Sequence, residues 1–381
     1  MKLSTDRILT THVGSLPRPV AATEFILKKE RGEPYDHAEF DRVIRQAIAD
    51  IVKRQVDTGI DIVSDGELSK IGYSTYIHER LTGFSGENTP KPNLDVAPYP
   101  DFRRRMALMT GAPSFKRMFC TGEIRVKDHD AVKTDTANFK AAVASAKPVD
   151  AFMNAASPGV VSSFQPNKFY PTHEAYIEAI AAAMQEEYEA IAAAGFVLQI
   201  DCPDLAMSRH TGFQDLSEGE FLKRAEHQVE VLNHAVRNIP ASQMRLHICW
   251  GNYEGPHDHD IALEKILATV VKAKPQAISF EAANPRHAHE WAVWRDASVP
   301  RDKVLIPGVV DSCTNYVEHP ELVAQRIGQF ASVVGRERVL AGVDCGFGTF
   351  AGVGKIDPEI AFKKLGSLVE GAALASKQLW R

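Results

Sequence analysis

The stretch "HEAYIEAIAAAMQEEYEAIAAAGFVLQID", residues 173–201, joins a helix pattern directly to a strand pattern. Its apolar side chains first recur at spacings of three and four, which predicts one buried face of an amphipathic helix. Gly195 is suited to end that helix, because glycine adopts a left-handed conformation without strain. The run "FVLQID" that follows is almost continuously apolar, as in a strand buried on both faces. The stretch therefore predicts one helix and strand unit of an α/β protein.

Eight short apolar runs occur along the chain, and segments with helical periodicity separate them. The runs are "RILTTHV", "IDIVSD", "VDAFMNAAS", "FVLQID", "MRLHICW", "AISFEA", "VLIPGVVD" and "RVLAGVD". Such strands alternating with helices predict a parallel sheet covered by helices, and eight units predict a closed (β/α)8 TIM barrel. An open nucleotide-binding sheet is the weaker alternative, because neither "HVGSLPRP" nor "GFGTFAGVG" matches a phosphate-binding glycine loop that leads into a helix.

The domain organisation predicted from this pattern is a single barrel over residues 1–381, with an insertion between strands 2 and 3. Residues 80–148 interrupt the alternation with the Pro-, Gly- and charge-rich stretch "TGFSGENTPKPNLDVAPYPDFRRR", and a β-like run follows it. We expect this inserted excursion to form a loop or hairpin near the mouth of the barrel.

The overall charge and the N-terminus limit the classes of partner. A net charge of −5 provides no general attraction to nucleic acid or acidic membranes, and the N-terminus lacks the apolar segment of a secretory signal. We therefore expect a cytoplasmic protein without a nucleic-acid or membrane partner, and association into a homo-oligomer stays open. Five cysteines, an odd number, argue against a disulfide framework and leave metal binding, catalysis or burial.

Polar or reactive side chains stand at the end of every predicted strand, where a TIM barrel has its active site. They are His12 to Ser15, Asp65 to Glu67, Ser157, Asp201 with Cys202, His247 with Cys249, Glu281, Asp311, and Asp344 with Cys345. Any one of the Asp and Ser residues could simply cap the helix that follows it. Eight such coincidences favour a functional rim.

A possible metal site stands out among these residues. His247 and Cys249 are two positions apart on a predicted strand, so their side chains project to the same face. Together with Glu281 and Cys345 they offer nitrogen, sulfur and oxygen ligands suited to Zn2+. These residues are spread over about a hundred positions, which is typical of catalytic rather than structural zinc sites. The histidines of "GPHDHD" and "RHAH" are expected to be surface or supporting groups, because they lie in loops beyond strand ends.

These motifs resemble the cobalamin-independent methionine synthase family along nearly the whole chain. The matching segments are "HVGSLPRP", "SDGELSK", "LQIDCPDLA", "LHICWGN", "ISFEAANP", "PGVVDS" and "GVDCGFGT". The resemblance is to the C-terminal catalytic barrel of the family, in the short stand-alone branch that is related to epoxyalkane:coenzyme M transferase.

The resemblance implies roles for individual residues. His247, Cys249, Glu281 and Cys345 match zinc ligands, Glu67 and Asp201 match residues that hold the amino group of homocysteine, and Gly14 and Ser15 match the segment that binds its carboxylate. The implied reaction is methyl transfer from 5-methyltetrahydrofolate, or its polyglutamate form, to homocysteine, which gives methionine. Zinc is implied to activate the substrate thiol as a thiolate.

Two positions depart from the family pattern. Cys313 occupies the place of the proton-donating histidine, and Cys202 replaces the glutamate of the Q-I-D-E-P segment. The candidate catalytic residues are therefore Asp311, from the G-V-x-D segment, and His319, six residues beyond Cys313. His319 equally suits the start of a helix.

Three other readings remain open on the sequence. One is an epoxyalkane:coenzyme M transferase type of thiol alkylation, for which Arg18, Lys70, Arg209 or Arg286 would have to face the sulfonate of the thiol. A second keeps the thiol but takes the methyl group from a corrinoid protein or a methylated small molecule. The third is a non-catalytic barrel in which zinc only fastens the strand ends together.

Overall fold

The computed structural model describes residues 1–110 and 116–381 and has a parallel sheet of seven strands at its centre. In spatial order the strands are β1 (Ile62–Val63), β4 (Asp150–Ala156), β5 (Val197–Asp201), β6 (Met244–His247), β7 (Ala277–Phe280), β8 (Val304–Val310) and β9 (Gly342–Val343). Two further strands, β2 (Phe84–Ser85) and β3 (Phe119–Cys120), pair antiparallel in a separate small sheet. Successive strands of the large sheet are spatial neighbours, as expected for repeated β/α units.

The first of the eight predicted runs, "RILTTHV", is not among these seven strands. It lies between the two edge strands and closes the sheet. Thr10 bridges Ala341 next to β9, and Thr11 bridges Ile62 of β1, both in parallel orientation. The run contributes only these bridges because side chains take other backbone donors: Asp61 accepts from the Thr10 N–H at 2.8 Å, and Ser4 accepts from the Leu9 N–H at 3.0 Å. The prediction of a TIM barrel is confirmed.

Twelve α-helices form within the described residues. They are α1 (Val20–Arg31), α2 (His37–Thr58), α3 (Ile77–Arg80), α4 (Pro100–Thr110), α5 (Ala131–Ala146), α6 (Pro158–Phe164), α7 (His173–Ala193), α8 (Glu218–Ala235), α9 (Leu263–Val270), α10 (Trp291–Asp296), α11 (Pro320–Val334) and α12 (Pro358–Leu379). The helix predicted from residue 173 is α7. The Thr172 hydroxyl accepts from the Ala175 N–H at 3.1 Å and caps it, and Gly195 follows its end with a φ of 94°.

Residues 80–148 contain β2, β3, α4 and α5. The helix α5 packs against α2 and α7 and leads directly into β4. None of the described residues of α4 is buried. The part of this segment at 111–115 lies outside the described residues.

The core consists of two clusters of buried apolar side chains. The larger fills the space between sheet and helices. The smaller fills the barrel at the amino ends of the strands and comprises Leu9, Ile62, Phe152, Val197, Ala277, Val304, Ile306 and Leu340. Toward the carboxyl ends the interior becomes polar, with Asn154, Gln199 and Arg245 all buried.

No helix within residues 1–110 and 116–381 combines the length and the apolar content that crossing a bilayer requires.

Candidate functional site

A cavity of about 650 Å³ opens at the carboxyl ends of the strands. It is lined by six residues singled out from the sequence, namely Ser15, Glu67, Asp201, His247, Cys249 and Cys345. Part of the segment between β2 and β3 also lines it, including Asn88 to Lys91 and Thr110. Gly14, Glu281, Asp311 and His319 are not among the described residues that line this cavity.

His247, Cys249 and Cys345 come together at the base of the cavity. The sequence predicted Cys249 on the same strand as His247. In the structure β6 ends at His247, so Cys249 lies just beyond the strand. Cys345 follows β9, and its Sγ lies 3.8 Å from Sγ of Cys249. One ligand atom from each of the three residues lies within 4.8 Å of the others. The hydrogen bond from Cys345 and burial raise the pKa of the Cys249 thiol well above its ordinary value.

The donor chemistry of this cluster fits a bound Zn2+. His247 is buried, and neither of its ring nitrogens has a hydrogen-bond partner among the described residues. Leaving such a buried polar atom unpaired costs about 1–3 kcal/mol. Burial, followed by the charge of Arg245, lowers the pKa of His247 to about 3, so the imidazole is neutral, the form that binds metals. One nitrogen and two sulfur donors match the ligand preference of zinc.

Glu281 lies beside this cluster but outside the group of three. Its Oε1 accepts from the Trp250 N–H at 2.8 Å, and its Oε2 accepts from Nδ2 of Asn284 at 2.7 Å. Burial raises the pKa of Glu281. Both carboxylate oxygens therefore have protein partners in this structure.

Glu67 and Asp201 form a pair of buried carboxyl groups elsewhere on the cavity wall. Burial, and then the charge of Asp201, raise the pKa of Glu67 to about 8. Burial also raises the pKa of Asp201 to about 6, although Asn154 and Gln199 donate to its carboxylate at 3.0 and 2.7 Å. Ionising both buried carboxyl groups is unfavourable unless a positive charge lies beside them, so the pair is suited to bind a cation.

The backbone that presents Glu67 is locally strained. Gly66 and Glu67 have φ values of 71° and 55° in the turn after β1. A left-handed conformation is uncommon for a residue with a side chain and often marks a functional position. The Asp65 carboxylate accepts from the Glu67 N–H at 2.9 Å and helps to hold this turn.

Gly14 and Ser15 have different positions in the structure. Ser15 lines the cavity, whereas the Gly14 N–H donates to Nδ1 of His12 at 3.1 Å. A Cβ on Gly14 would lie 2.2 Å from Oδ1 of Asn154, and the φ of Gly14 is 132°. Glycine is thus required here for a close approach to Asn154.

The structure does not bring Asp311 and His319 to the cavity. The Asp311 carboxylate accepts from the backbone N–H groups of Cys313 and Thr314 at 2.9 and 2.8 Å and so stabilises a turn. His319 is exposed and caps α11, where its Nδ1 accepts from the Glu321 N–H at 3.2 Å. Cys313 does line the cavity, and its thiol donates to Oδ1 of Asn252.

Comparison with known proteins identifies the family. A sequence model described as the catalytic domain of the cobalamin-independent synthases matches residues 8–91 and 123–373. The chain belongs to this family. The methionine synthase of Saccharolobus solfataricus is 24% identical over 98% of this chain and 96% of that protein. The methionine synthase of Sulfolobus acidocaldarius is 22% identical over 97% and 93%.

Solved structures share the fold over almost the whole chain. The B12-independent methionine synthase from Shewanella sp. W3-18-1, in complex with selenomethionine, gives a TM-score of 0.74 at 20% identity and covers 98% of this chain and 99% of that one. A putative vitamin-B12 independent methionine synthase from Listeria monocytogenes gives 0.65 at 19% identity with the same coverage. The family resemblance predicted from the motifs is confirmed.

Sequence reasoning missed the neutral amides that organise this family member's cavity. Nδ2 of Asn252 donates to Gly346 and Thr349, and its Oδ1 accepts from Ser312 and Cys313, so it links three loops. Its place in "CWGN", just beyond the His-x-Cys pair, was the available signal. An amide does not titrate, and a search for charged or metal-binding residues passes over it.

His257 and His287, which the sequence predicted to be surface or supporting groups, belong to a hydrogen-bond network next to the metal-site candidates. Asp260 accepts from Nδ1 of His257 and Nε2 of His287, both at 2.9 Å. Contacts with Asp260 and Glu290 overcome the opposing effect of burial and raise the pKa of His287 to about 10. The His287 ring stacks on Trp250, with centroids 4.2 Å apart. The network thus supports the residue whose N–H binds Glu281.

Proposed function

We propose that this protein transfers a methyl group to the thiol of homocysteine and so forms methionine, in a zinc-dependent reaction. The observation that carries the proposal is that the His247, Cys249 and Cys345 cluster and the Glu67 and Asp201 pair line one cavity. The first can hold a metal near a thiol, and the second can bind the ammonium group of the same molecule. Membership of the synthase family and the names of its relatives support this reading.

In this proposal His247, Cys249 and Cys345 hold the Zn2+, and Glu281 is the fourth ligand. Bound zinc would supply a substrate thiolate at neutral pH, where a free thiol with a pKa of about 8.5 is mostly protonated. Glu281 would have to exchange its hydrogen bonds with Trp250 and Asn284 for the metal. It is therefore the ligand that the metal would hold least firmly.

The chain's own residues then orient the amino acid. Glu67 and Asp201 bind the ammonium group, and Glu67, whose pKa burial raises, loses its proton to solvent when the cation arrives. The Ser15 hydroxyl donates to the substrate carboxylate from the neighbouring wall. This leaves the thiol free to face Cys249 and Cys345. The segment from Asn88 to Lys91 forms part of the cavity wall.

For the methyl donor we propose 5-methyltetrahydrofolate or its polyglutamate form. Tyr73, Phe164 and Phe350 line the cavity and pack against one another, and a pterin would pack against this aromatic wall. Lys91 and Lys355 also line the cavity, where they pair with Asp215 and Glu254, and the carboxylates of a glutamate tail would take the place of these partners.

The four cations suggested from the sequence give no support to alkylation of a sulfonate-bearing thiol, although Lys91, Arg117 and Lys355 do line the cavity. Arg18 donates to the backbone oxygen of Glu67 at 2.9 Å, and Lys70 donates to that of Asn154 at 2.7 Å. Arg18, Lys70, Arg209 and Arg286 are not among the described residues that line the cavity. A purely structural zinc barrel is less favoured too, since it has no need of a carboxylate pair in the same cavity.

The test is to incubate the zinc-loaded protein with homocysteine and 5-methyltetrahydrofolate and to follow methionine by mass spectrometry. Coenzyme M with a short epoxide serves as the competing substrate pair. Methionine formation that requires homocysteine and zinc supports the proposal. If the zinc-loaded protein binds homocysteine but forms no methionine with any methyl donor, including a methylated corrinoid, the proposal is refuted.

A further inference from the structure

Arg245 lies inside the barrel and is fully buried. It precedes the ligand candidate His247 by two residues on β6, so both side chains point into the barrel interior. Its Nε donates to Oε1 of Gln199 at 2.6 Å, and its two terminal nitrogens donate to Oγ1 of Thr11 and to the backbone oxygen of His12. The guanidinium also lies 3.4 Å from the centre of the Phe152 ring.

All the hydrogen-bond partners described for Arg245 are neutral. Burying a cation without a carboxylate in direct contact is costly, because desolvation is not offset by an ion pair. An apolar residue of similar size would fill the barrel more cheaply. The acidic group that interacts most with the Arg245 charge is Asp201, which lies beyond Gln199. This arrangement points to a role at Asp201.

Gln199 connects the two charged groups through the two ends of its amide. Its oxygen accepts from Arg245, so its nitrogen faces the other way and donates to Oδ1 of Asp201 at 2.7 Å and to the backbone oxygen of Val13. The reversed amide would place its oxygen against the Asp201 carboxylate and its NH2 group against the guanidinium. Arg245 therefore allows only one orientation of Gln199.

We propose that Arg245 is a positioning residue that makes the cavity selective for thiols bearing an amino group. It fixes the amide of Gln199, and Gln199 holds the Asp201 carboxylate toward the cavity, where the ammonium group binds. The inference rests on the proposed function, in which Asp201 and Glu67 bind that group. Arg245 does not line the cavity and makes no contact with the substrate itself.

The experiment compares two thiols that differ only in the amino group: homocysteine and 4-mercaptobutanoate. Titration calorimetry on the zinc-loaded protein gives Kd for each, and turnover with a methyl donor gives KM and kcat. Arg245→Met keeps an unbranched side chain, although a shorter one, and removes the donors and the charge. We expect it to weaken homocysteine binding about tenfold or more while the Kd of 4-mercaptobutanoate changes little. The KM for homocysteine should rise more than kcat falls.

Two further variants separate positioning from general stability. Arg245→Lys keeps the charge and one donor toward Gln199, and should restore much of the preference for homocysteine. Arg80→Lys is the matched control, because Arg80 is also buried but pairs with Asp135 at 2.5 Å, away from the cavity. It should lower the melting temperature without changing the ratio of the two Kd values.

An Arg245→Met protein that loses affinity for both thiols by the same factor would overturn the inference. So would an unchanged Kd ratio in a folded variant with its zinc content intact. If Arg245→Met fails to fold, Gln199→Met decides, because it removes the amide that links Arg245 to Asp201, and a Kd ratio equal to that of the wild type refutes the role. Failure of the proposed function looks different, since the wild type then yields no methionine whatever its Kd ratio.

Discussion

Replacing Glu67 by glutamine should stabilise the folded protein at neutral pH and weaken its binding of an amino-bearing thiol. The reason is the buried carboxyl group, whose pKa rises from its ordinary value of 4.5 to about 8 on folding. Below the ordinary value both the folded and the unfolded chain hold the proton, so the group has no net effect. Between the two values the unfolded chain is ionised while the folded chain must keep the proton. Stability is therefore lost as the pH rises.

The size of the effect follows from that difference in pKa. Each pH unit above the ordinary value lowers the free energy of unfolding by about 1.4 kcal/mol, until the folded group ionises as well. At pH 7 the loss is on the order of 3 kcal/mol. Glutamine has nearly the same shape and no charge to desolvate. The Glu67→Gln protein should gain about this amount at pH 7 and less than about 1 kcal/mol at pH 5.

Urea unfolding followed by circular dichroism at pH 5, 6, 7 and 8 measures this gain. The same change at the exposed Glu178 of α7 is the matched control and should shift stability by less than about 0.5 kcal/mol at every pH. Calorimetry should show that homocysteine binds Glu67→Gln at least about tenfold more weakly, because one charge of the pair is missing. A variant that is no more stable than the wild type at pH 7, or a gain that does not depend on pH, would refute the reasoning.

Three shorter predictions concern the metal and the helix cap. Cys345→Ser should lose bound zinc, measured by elemental mass spectrometry, while the far-UV circular dichroism spectrum stays unchanged. Cys120 is buried outside the cavity, so Cys120→Ser should keep its zinc. Equal losses of zinc in both variants would contradict the assignment. Dialysis against a chelator should abolish thiol methylation and added zinc should restore it, whereas activity that survives a measured loss of metal would exclude zinc dependence. His319→Ala should lower the free energy of unfolding by about 1 kcal/mol through loss of a cap and leave turnover unchanged; a tenfold fall in kcat would show that His319 acts in catalysis.

The fold could be predicted because its signals are local and repeated. Each unit of helical segment and apolar run can be recognised within a stretch of about thirty residues, as in residues 173–201. The reduction of the first strand to two bridges was not predictable in this way. It depends on hydrogen bonds that Ser4 and Asp61 accept from the N–H groups of Leu9 and Thr10, and Asp61 is 51 residues from Thr10 in the sequence.

The candidate site was predictable where the topology alone brings residues together. His247 and Cys345 both follow strands of one barrel, so they had to approach each other at its carboxyl end. Glu281 also follows a strand, yet its rotamer depends on the N–H of Trp250 and the amide of Asn284, which no spacing reveals. His319 shows the opposite limit, because a histidine before "PE" satisfies a local helix start without any reference to the cavity.

The closure of the barrel through Thr10 and Ala341 has a consequence for the order of events during synthesis. These residues are separated by nearly the whole chain, and contacts of that kind form slowly because a large loop must first be closed. Ser15 leaves the ribosome early, whereas Cys345 leaves it late, so no complete cavity exists on a nascent chain. Until Ala341 is available, the run around Thr10 has an open edge that can pair with other chains. The proposed metal site at His247, Cys249 and Cys345 is thus complete only after Cys345 has been synthesised.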